Sequence, residues 1–513
     1  MSSDTNASSG PDLTQGVGAE SLGEGDLLLG HVGEEPVLLT RHLGEALAVG
    51  ARCTHYGGPL HEGLLVDGTI RCPWHHAAFD LRTGRVLRPP ALDAIPCWEV
   101  VEREGRIVVG RKRDGAPPST AAPSADRKTS IVILGGGAAG HQAAETLRRE
   151  GFDGSVTIVE AGPDAPYDRP NLSKDYLAGT AEEAWIPLRG DDFYVEHRID
   201  LRLGRTAVGL DVGARRVRLD DGSDLAFDAL LIATGAEPVR LPGESGQPVR
   251  YLRSLADSRA IIAAAGTARR AVVIGASFIG LEVAASLRAR GLEVTVVGPD
   301  TRPLEKVLGP ELGDMVRALH EERGVVFRLG RTAASIGTDS VTLDDGERLP
   351  ADLVVAGIGV RPVTTLAERA GLAVDRGIVV DRFLETSAPG IYAAGDVARW
   401  PDPRTGELTR VEHWVFAQRQ GQAAARNLLA TRDARSAFVA VPFFWSRHYD
   451  LSIDYAGHAP HWDRTVVDGN LARHDGTVSY ESNGQVLAVA AVGRELASLE
   501  MEAKFERGIV HAR

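Results

Sequence analysis

Two short loops in the first quarter of the chain carry the residues best suited to hold a metal. The first reads Cys53-Thr-His55-Tyr-Gly-Gly-Pro-Leu60 and the second Cys72-Pro-Trp-His75-His-Ala-Ala-Phe-Asp80, so a C-x-H pattern is separated by sixteen residues from C-x-x-H. Two thiolates and two imidazoles are thereby brought forward on Gly/Pro-shaped turns. Such a set can bind zinc, although a C-x-H start is not the usual zinc spacing.

A second group of candidates is made of glycines. The apolar run Ile131 to Leu134 ends in Gly135-Gly-Gly137-Ala-Ala-Gly140, and a helix-forming pattern from Ala138 to Glu150 follows at once. A dinucleotide pyrophosphate needs a turn without a Cβ at Gly135, close backbone approach at Gly137 and close helix packing at Gly140. The next apolar strand, Ser155 to Val159, ends in Glu160, twenty residues after the last glycine, where a carboxylate can take ribose hydroxyls.

These residues need strands and helices in a set order to place them, and the order recurs. A strand from Ala271 to Ile274, the turn Gly275-Ala-Ser-Phe-Ile-Gly280, a helix through Arg290 and a strand from Glu293 to Val297 make a second unit of the same kind. Two βαβ units call for two nucleotides, and FAD with a nicotinamide coenzyme is the natural pair. In the second turn Ser277 replaces the middle glycine. Its small side chain still permits close approach, and its hydroxyl is a potential donor to phosphate. The following strand ends in Gly298, where an NADH enzyme places an acid. Asp300, which favours NADH, and Arg302, which favours the 2′-phosphate of NADPH, lie just beyond, with a slight lean to NADH.

From about Leu27 to Gly110, short Val/Leu/Ile runs broken by Gly, Pro or Asp predict a small all-β unit. The Pro-, Ser- and Ala-rich stretch from Arg111 to Lys128 reads as an extended linker. The excess of 70 Asp and Glu over 57 Lys and Arg, a net charge of −13, gives a nucleic-acid or membrane-surface role no electrostatic support. No apolar run approaches the ~18–20 residues that span a bilayer. Met1 to Gly25 lacks the basic start and apolar segment of a secretory signal and reads as a disordered tail. Three cysteines, at 53, 72 and 97, are too few for a disulfide framework. The expected location is therefore the cytoplasm, and Cys97 is expected as a small buried hydrophobe.

The two metal-binding loops closely resemble those of Rieske [2Fe–2S] proteins, in which two cysteines hold one iron and two histidines the other. The resemblance implies Cys53, His55, Cys72 and His75 as cluster ligands. High-potential members carry an extra cysteine in each loop and a serine near the second histidine; here Gly58, Trp74 and Ala77 stand at those places. Fewer hydrogen bonds to sulfur imply a potential toward the lower end of the Rieske range of about −150 to +300 mV. His76 stands where the family often has glycine and is expected at the cluster rim.

From residue 128 onward the chain resembles the ferredoxin-reductase and apoptosis-inducing-factor branch of FAD/NAD(P)-dependent oxidoreductases. The fused Rieske domain makes Rieske-containing, apoptosis-inducing-factor-like flavoproteins the nearest match. The motifs that carry this are Tyr167-Asp-Arg169-Pro-Asn-Leu-Ser-Lys174, Ala233-Thr234-Gly235, Gly395-Asp396 and Glu412-His-Trp414. By resemblance, Gly135, Gly137, Gly140 and Glu160 hold the adenosine end of FAD. Arg169 and Lys174 lie nearer the flavin, Ala233 to Gly235 line the cofactor, Asp396 binds its ribityl or pyrophosphate region, and Trp414 neighbours the ring. Gly275 and Gly280 serve the coenzyme, and Lys174 pairs with Glu282 beside the flavin as the catalytic pair. Read one at a time, Arg169 is also a surface cation, Asp396 a helix N-cap, Glu282 an exposed helix residue, and Trp414 with Phe416 plain core.

The implied fold is multidomain: a small all-β Rieske domain, then an α/β flavoprotein with two dinucleotide-binding domains and a C-terminal α/β domain. Its divisions are a tail at 1–25, the Rieske domain at 26–111 and a linker at 112–127. FAD-binding segments follow at 128–247 and 367–438, the NAD(P)-binding domain at 248–366, and a C-terminal reductase dimerisation/interface-like domain at 439–513, whose last helix spans Gly493 to Arg507. The implied function is electron transfer from NAD(P)H through FAD and the Rieske cluster to an external acceptor, whether an oxygenase, a ferredoxin or a quinone-like molecule. The resemblance also allows a homodimer. Its rival is a slow, redox-responsive binding or signalling flavoprotein. A dithiol flavoenzyme is disfavoured because no cysteine follows Cys97.

Overall fold

The computed structural model describes residues 10–113, 129–242 and 246–511. The expected linker lies almost wholly outside these, as does the start of the expected tail. The chain forms two compact units, one of residues 1–120 with 494–513 and the other of residues 121–493.

Among its described residues the first unit has ten strands: β1 (Val17–Gly18), β2 (Leu27–Val32), β3 (Glu35–His42), β4 (Glu45–Gly50), β5 (Leu64–Val66), β6 (Thr69–Arg71), β7 (Ala78–Asp80), β8 (Val86–Arg88), β9 (Cys97–Arg103) and β10 (Arg106–Lys112). Six form a sheet in the order β1-β10-β9-β4-β3-β2, and the other four a sheet in the order β5-β6-β7-β8. Side chains alternate across a strand, and both faces of the larger sheet are apolar. Leu38, Leu47 and Val49 pack on one side with Ile70, Phe79 and Cys97. Val37, Leu39 and Ala48 pack on the other with Trp98 and Ile107.

That second face corrects the expectation of a disordered tail through Gly25. Leu13 and Leu22 are buried against it, and β1 pairs antiparallel with β10. The tail sequence is polar overall, but its two leucines cover apolar surface that would otherwise face water, which offsets the entropy of ordering it. The last helix, Glu495–His511, also departs from expectation, since it belongs to this first unit and not with the strands that precede it.

In the second unit two five-stranded parallel sheets repeat one plan. The first runs Ile199–Leu203, Ser155–Glu160, Ser130–Leu134, Ala229–Ile232, Ile391–Ala393; the second runs Val249–Tyr251, Leu353–Ala356, Arg270–Ile274, Glu293–Gly298, Val325–Leu329. Each glycine turn leaves a central strand, and the helix after it, Ala138–Arg149 or Phe278–Ala289, packs back on its sheet. Such strands are covered on both faces, which explains the unbroken apolar runs Ile131–Leu134 and Ala271–Ile274. A third, antiparallel sheet of five strands spans Phe443–His448 to Gln485–Val492 and shares the apolar core of the second parallel sheet. Among the described residues no helix is long and apolar enough to cross a membrane.

Candidate functional site

Both glycine turns open onto one cavity of about 1340 Å³, lined among others by Gly137, Glu160, Lys174, Ser277 and Asp396. Ordinary small-molecule sites span ~300–1,000 Å³, so there is room for more than one ligand. The turns are built alike. Gly135 has φ 107° and Gly275 φ 117°, left-handed backbone that a side chain resists. A Cβ on Gly140 would collide with the carbonyl of Gly135, and one on Gly280 with that of Gly275. By contrast, a Cβ on Gly137 would meet nothing closer than 3.8 Å, so the open side of the turn faces the cavity.

Polar groups at this turn suit a dinucleotide. Glu160 receives the Gly136 N–H at 2.6 Å and the Gly162 N–H at 2.9 Å, which fixes its carboxylate at the rim. The buried Nε of Arg169 has no hydrogen-bond partner among the described residues, and neither has that of Arg253. Both arginines line the cavity, and Arg169 Nη2 would lie 3.8 Å from a Cβ on Gly137, at the start of helix Ala138–Arg149. An unsatisfied guanidinium donor beside a helix N-terminus fits a pyrophosphate. Arg253 also holds Asp396 at 2.7 Å; Asp396 caps no helix, since the strand Ala398–Pro401 follows it. Gly395, at φ 81°, is fixed by its N–H to Gln420 Oε1 at 2.7 Å. Ala233, Thr234, Gly235 and Trp414 line the same cavity, whereas Phe416 is buried core against Trp400 and Phe438.

Lys174 Nζ lies 2.8 Å from Glu282 Oε2, and the glutamate is 3% exposed, so it is not a solvated helix residue. Ser173 donates to the same oxygen at 2.5 Å and Ser446 to Oε1 at 2.6 Å. The line continues inward from Ser446 to His448 Nε2 at 3.2 Å and from His448 Nδ1 to His320 Nε2 at 3.1 Å. Burial first, and the charge of Lys174 second, push His448 down from 6.5 to about 3. His320 is lowered too, by burial and by His448. Both rings are therefore neutral at ordinary pH. Ser173, Ser446 and His448 were not singled out by the sequence reading, although Ser446 and His448 alternate in one strand and so share a face.

At the second turn Ser277 Oγ donates to the carbonyl of Gly357 at 3.2 Å, so its hydroxyl is engaged with the end of the neighbouring strand Leu353–Ala356. Arg302 is tied to Asp314 at 2.8 Å and Glu305 at 3.6 Å, and Asp300 to Lys306 at 2.7 Å.

In the first unit the two ligand loops share one backbone design. Cys53 N–H donates to Gly58 O and Gly57 N–H to Cys53 O, both at 2.9 Å; Cys72 N–H donates to Ala77 O at 2.8 Å and His76 N–H to Cys72 O at 3.1 Å. The fifth residue of each loop is left-handed, Gly57 at φ 75° and His76 at φ 61°. The loops bring His55 Nδ1 within 3.1 Å of His75 Nδ1. Cys53 and Cys72 share a hydrogen bond that raises one thiol and lowers the other. Among the described residues no three His, Cys, Asp or Glu side chains converge as a single-ion site would need. A donor set that falls into a sulfur pair and a nitrogen pair fits a two-iron cluster better than zinc. A Cβ on Gly58 would lie 2.7 Å from Cys72 Sγ, so the position has no space for an extra cysteine. His76, expected at the rim, is instead fully buried, because its imidazole is bonded to Glu502 of the last helix.

Two dinucleotide turns on one cavity, in a chain that also carries paired Cys/His loops on a β unit, define a pyridine-nucleotide-dependent flavoprotein with an iron–sulfur domain. Comparison with known proteins agrees. The pyridine nucleotide-disulphide oxidoreductase model matches residues 129–421, the Rieske [2Fe-2S] domain model 17–99 and the reductase C-terminal model 443–510. The chain belongs to the pyridine nucleotide-disulphide oxidoreductase family, and it is an FAD-containing oxidoreductase with a Rieske domain. It is similar to apoptosis-inducing factor 3 of Homo sapiens, 32% identical over 493 residues, 92% of this chain and 80% of that protein. It is also similar to the ferredoxin--NAD(+) reductase component of the anthranilate 1,2-dioxygenase system of Burkholderia cepacia, 39% identical over 376 residues, 71% of this chain and 92% of that one. Among solved structures, the covalent putidaredoxin reductase–putidaredoxin complex matches with a TM-score of 0.71 at 36% identity, covering 74% of this chain and 93% of that chain. The matched segment 129–421 contains no cysteine, so a redox dithiol is no part of the likeness.

Proposed function

We propose that the protein is an NAD(P)H-dependent, ferredoxin-reductase-like enzyme that delivers electrons through FAD and its own Rieske cluster to an external acceptor. The observation that carries this reading is the buried Lys174–Glu282 pair on a cavity that both glycine turns share. Flavin, when bound, supplies the exchange between a two-electron hydride and single electrons, and the protein supplies placement and tuning. In this reading Gly135, Gly137, Gly140, Glu160, Arg169, Ala233 to Gly235, Gly395, Asp396 and Trp414 hold FAD, and Gly275 and Gly280 shape the coenzyme turn. Cys53, His55, Cys72 and His75 hold the cluster. Lys174 would help position the nicotinamide and adjust charge near the flavin, while Glu282, kept in place by two serines, holds the ammonium.

NADH is the preferred coenzyme in this reading, because Arg302 must give up two carboxylates before it can take a 2′-phosphate. The acceptor is a ferredoxin, an oxygenase or a quinone-like molecule, in keeping with relatives named as reductase components of dioxygenase systems. Three buried cysteines, none of them in a disulfide, suit a cytoplasmic setting. Reduction of cytochrome c by NADH in the wild type and in Cys53→Ser tests the route. Turnover should collapse in the variant while flavin reduction by NADH stays intact; equal turnover in both refutes the path.

A second reading is favoured by the relative named apoptosis-inducing factor 3, which matches over 92% of this chain: a slow, redox-responsive binding protein. Negligible turnover together with an NADH-driven change in oligomeric state would establish it in place of the first.

A further inference from the structure

The fifth position of each cluster loop requires left-handed backbone, and the two loops meet that requirement differently. The first uses glycine, Gly57; the second uses His76, whose Cβ makes the conformation unfavourable. A residue held in such a region persists only where its surroundings over-determine it. Around His76 they do. Its imidazole and the Glu502 carboxylate are both 0% exposed, and Nδ1 lies 2.8 Å from Oε2. One turn along the same helix face, Glu506 takes Arg71 at 2.8 Å and also pairs with Arg88 of β8. Arg71 immediately precedes Cys72. Two carboxylates of helix Glu495–His511 thus grip the second loop at both ends.

We infer that Glu502 is a positioning residue for the iron–sulfur cluster: by holding His76 in its left-handed conformation it keeps the Cys72–His75 turn in ligating geometry. The C-terminal helix is therefore a working part of the Rieske unit. The inference rests on the assignment of Cys72 and His75 as ligands, which Cys72→Ser tests separately through complete loss of cluster absorbance with FAD retained.

The test compares Glu502→Ala, Glu502→Gln and the double variant His76→Gly/Glu502→Ala in the full-length protein. Iron per polypeptide, the EPR line shape of the dithionite-reduced cluster and the half-life of visible absorbance at 40 °C are measured, with FAD content as the internal control. Glu502→Ala should shorten the half-life at least fivefold and broaden the EPR signal at unchanged FAD content. Glu502→Gln, whose amide oxygen still accepts from Nδ1–H, should stay within about twofold of wild type. The double variant should recover most of the loss, because glycine needs no brace. Wild-type half-life and line shape in Glu502→Ala would overturn the inference. So would a double variant as labile as Glu502→Ala, which would reduce the contact to ordinary helix packing.

Discussion

At the scale of single residues, the site is held by side chains whose partners leave little slack. Glu282 is the clearest case, with Lys174 and Ser173 on one oxygen and Ser446 on the other. Removing one partner of a buried charged acceptor costs ~1–3 kcal/mol. Ser446→Ala should therefore lower unfolding free energy by about that much in urea titration, and it should weaken the hold on Lys174. Lys174→Ala should slow flavin reduction by NADH in stopped flow by at least ~10-fold, the equivalent of ~1.4 kcal/mol, with FAD still bound; an unchanged rate would remove Lys174 from the chemistry. These residues differ in how legible they were. Gly135, Gly137, Gly140 and Glu160 announce themselves because a phosphate turn is a local device with fixed spacing. Glu282 was reached only through family likeness. Ser446 and His448 were missed because their role exists only once strand Phe443–His448 meets helix Phe278–Ala289, and Ser173 because the turn Arg169–Ser173 must first reach Glu282 of that helix.

At the scale of elements, close backbone approach does much of the positioning. Helix Trp414–Leu429 crosses helix Ala138–Arg149 at Gly421, where a Cβ would run into the carbonyl of Ala139. Gly421→Ala should push the two helices apart, costing ~1–3 kcal/mol by overpacking. It should also lower FAD occupancy, because Ala138 and Ala139 line the cofactor cavity; flavin released on denaturation, divided by protein, measures it. The helices and parallel strands were readable from apolar runs and glycine punctuation. The ordering of residues 10–25 was not, because two leucines in a polar stretch, Leu13 and Leu22, give no periodic signal. The placement of helix Glu495–His511 was equally hidden, since its bond to His76 links residues 426 apart in sequence.

At the scale of the whole molecule, buried neutral histidines set a lower limit on pH tolerance. His448 falls from 6.5 to about 3 on folding, and His320 is also lowered. Below pH 6.5 the unfolded chain takes up protons that the folded chain refuses, so stability falls as pH falls. Each such group costs up to ~1.4 kcal/mol per pH unit until its folded value is reached. Urea midpoints should therefore drop steadily between pH 6.5 and 5, and His448→Gln should flatten that slope. A slope unchanged by the substitution would place the acid sensitivity elsewhere.

The grip of Glu502 and Glu506 on the second cluster loop also bears on the order in which the protein is made. A ribosome releases the β strands of the first unit early, then must add residues 121–493 before the bracing helix exists. The first unit is thus closed only after the second has been made. On the inference that Glu502 positions the cluster, iron–sulfur loading in its durable form waits for helix Glu495–His511, and a product arrested within residues 121–493 is expected to carry both Cys/His loops but no lasting cluster.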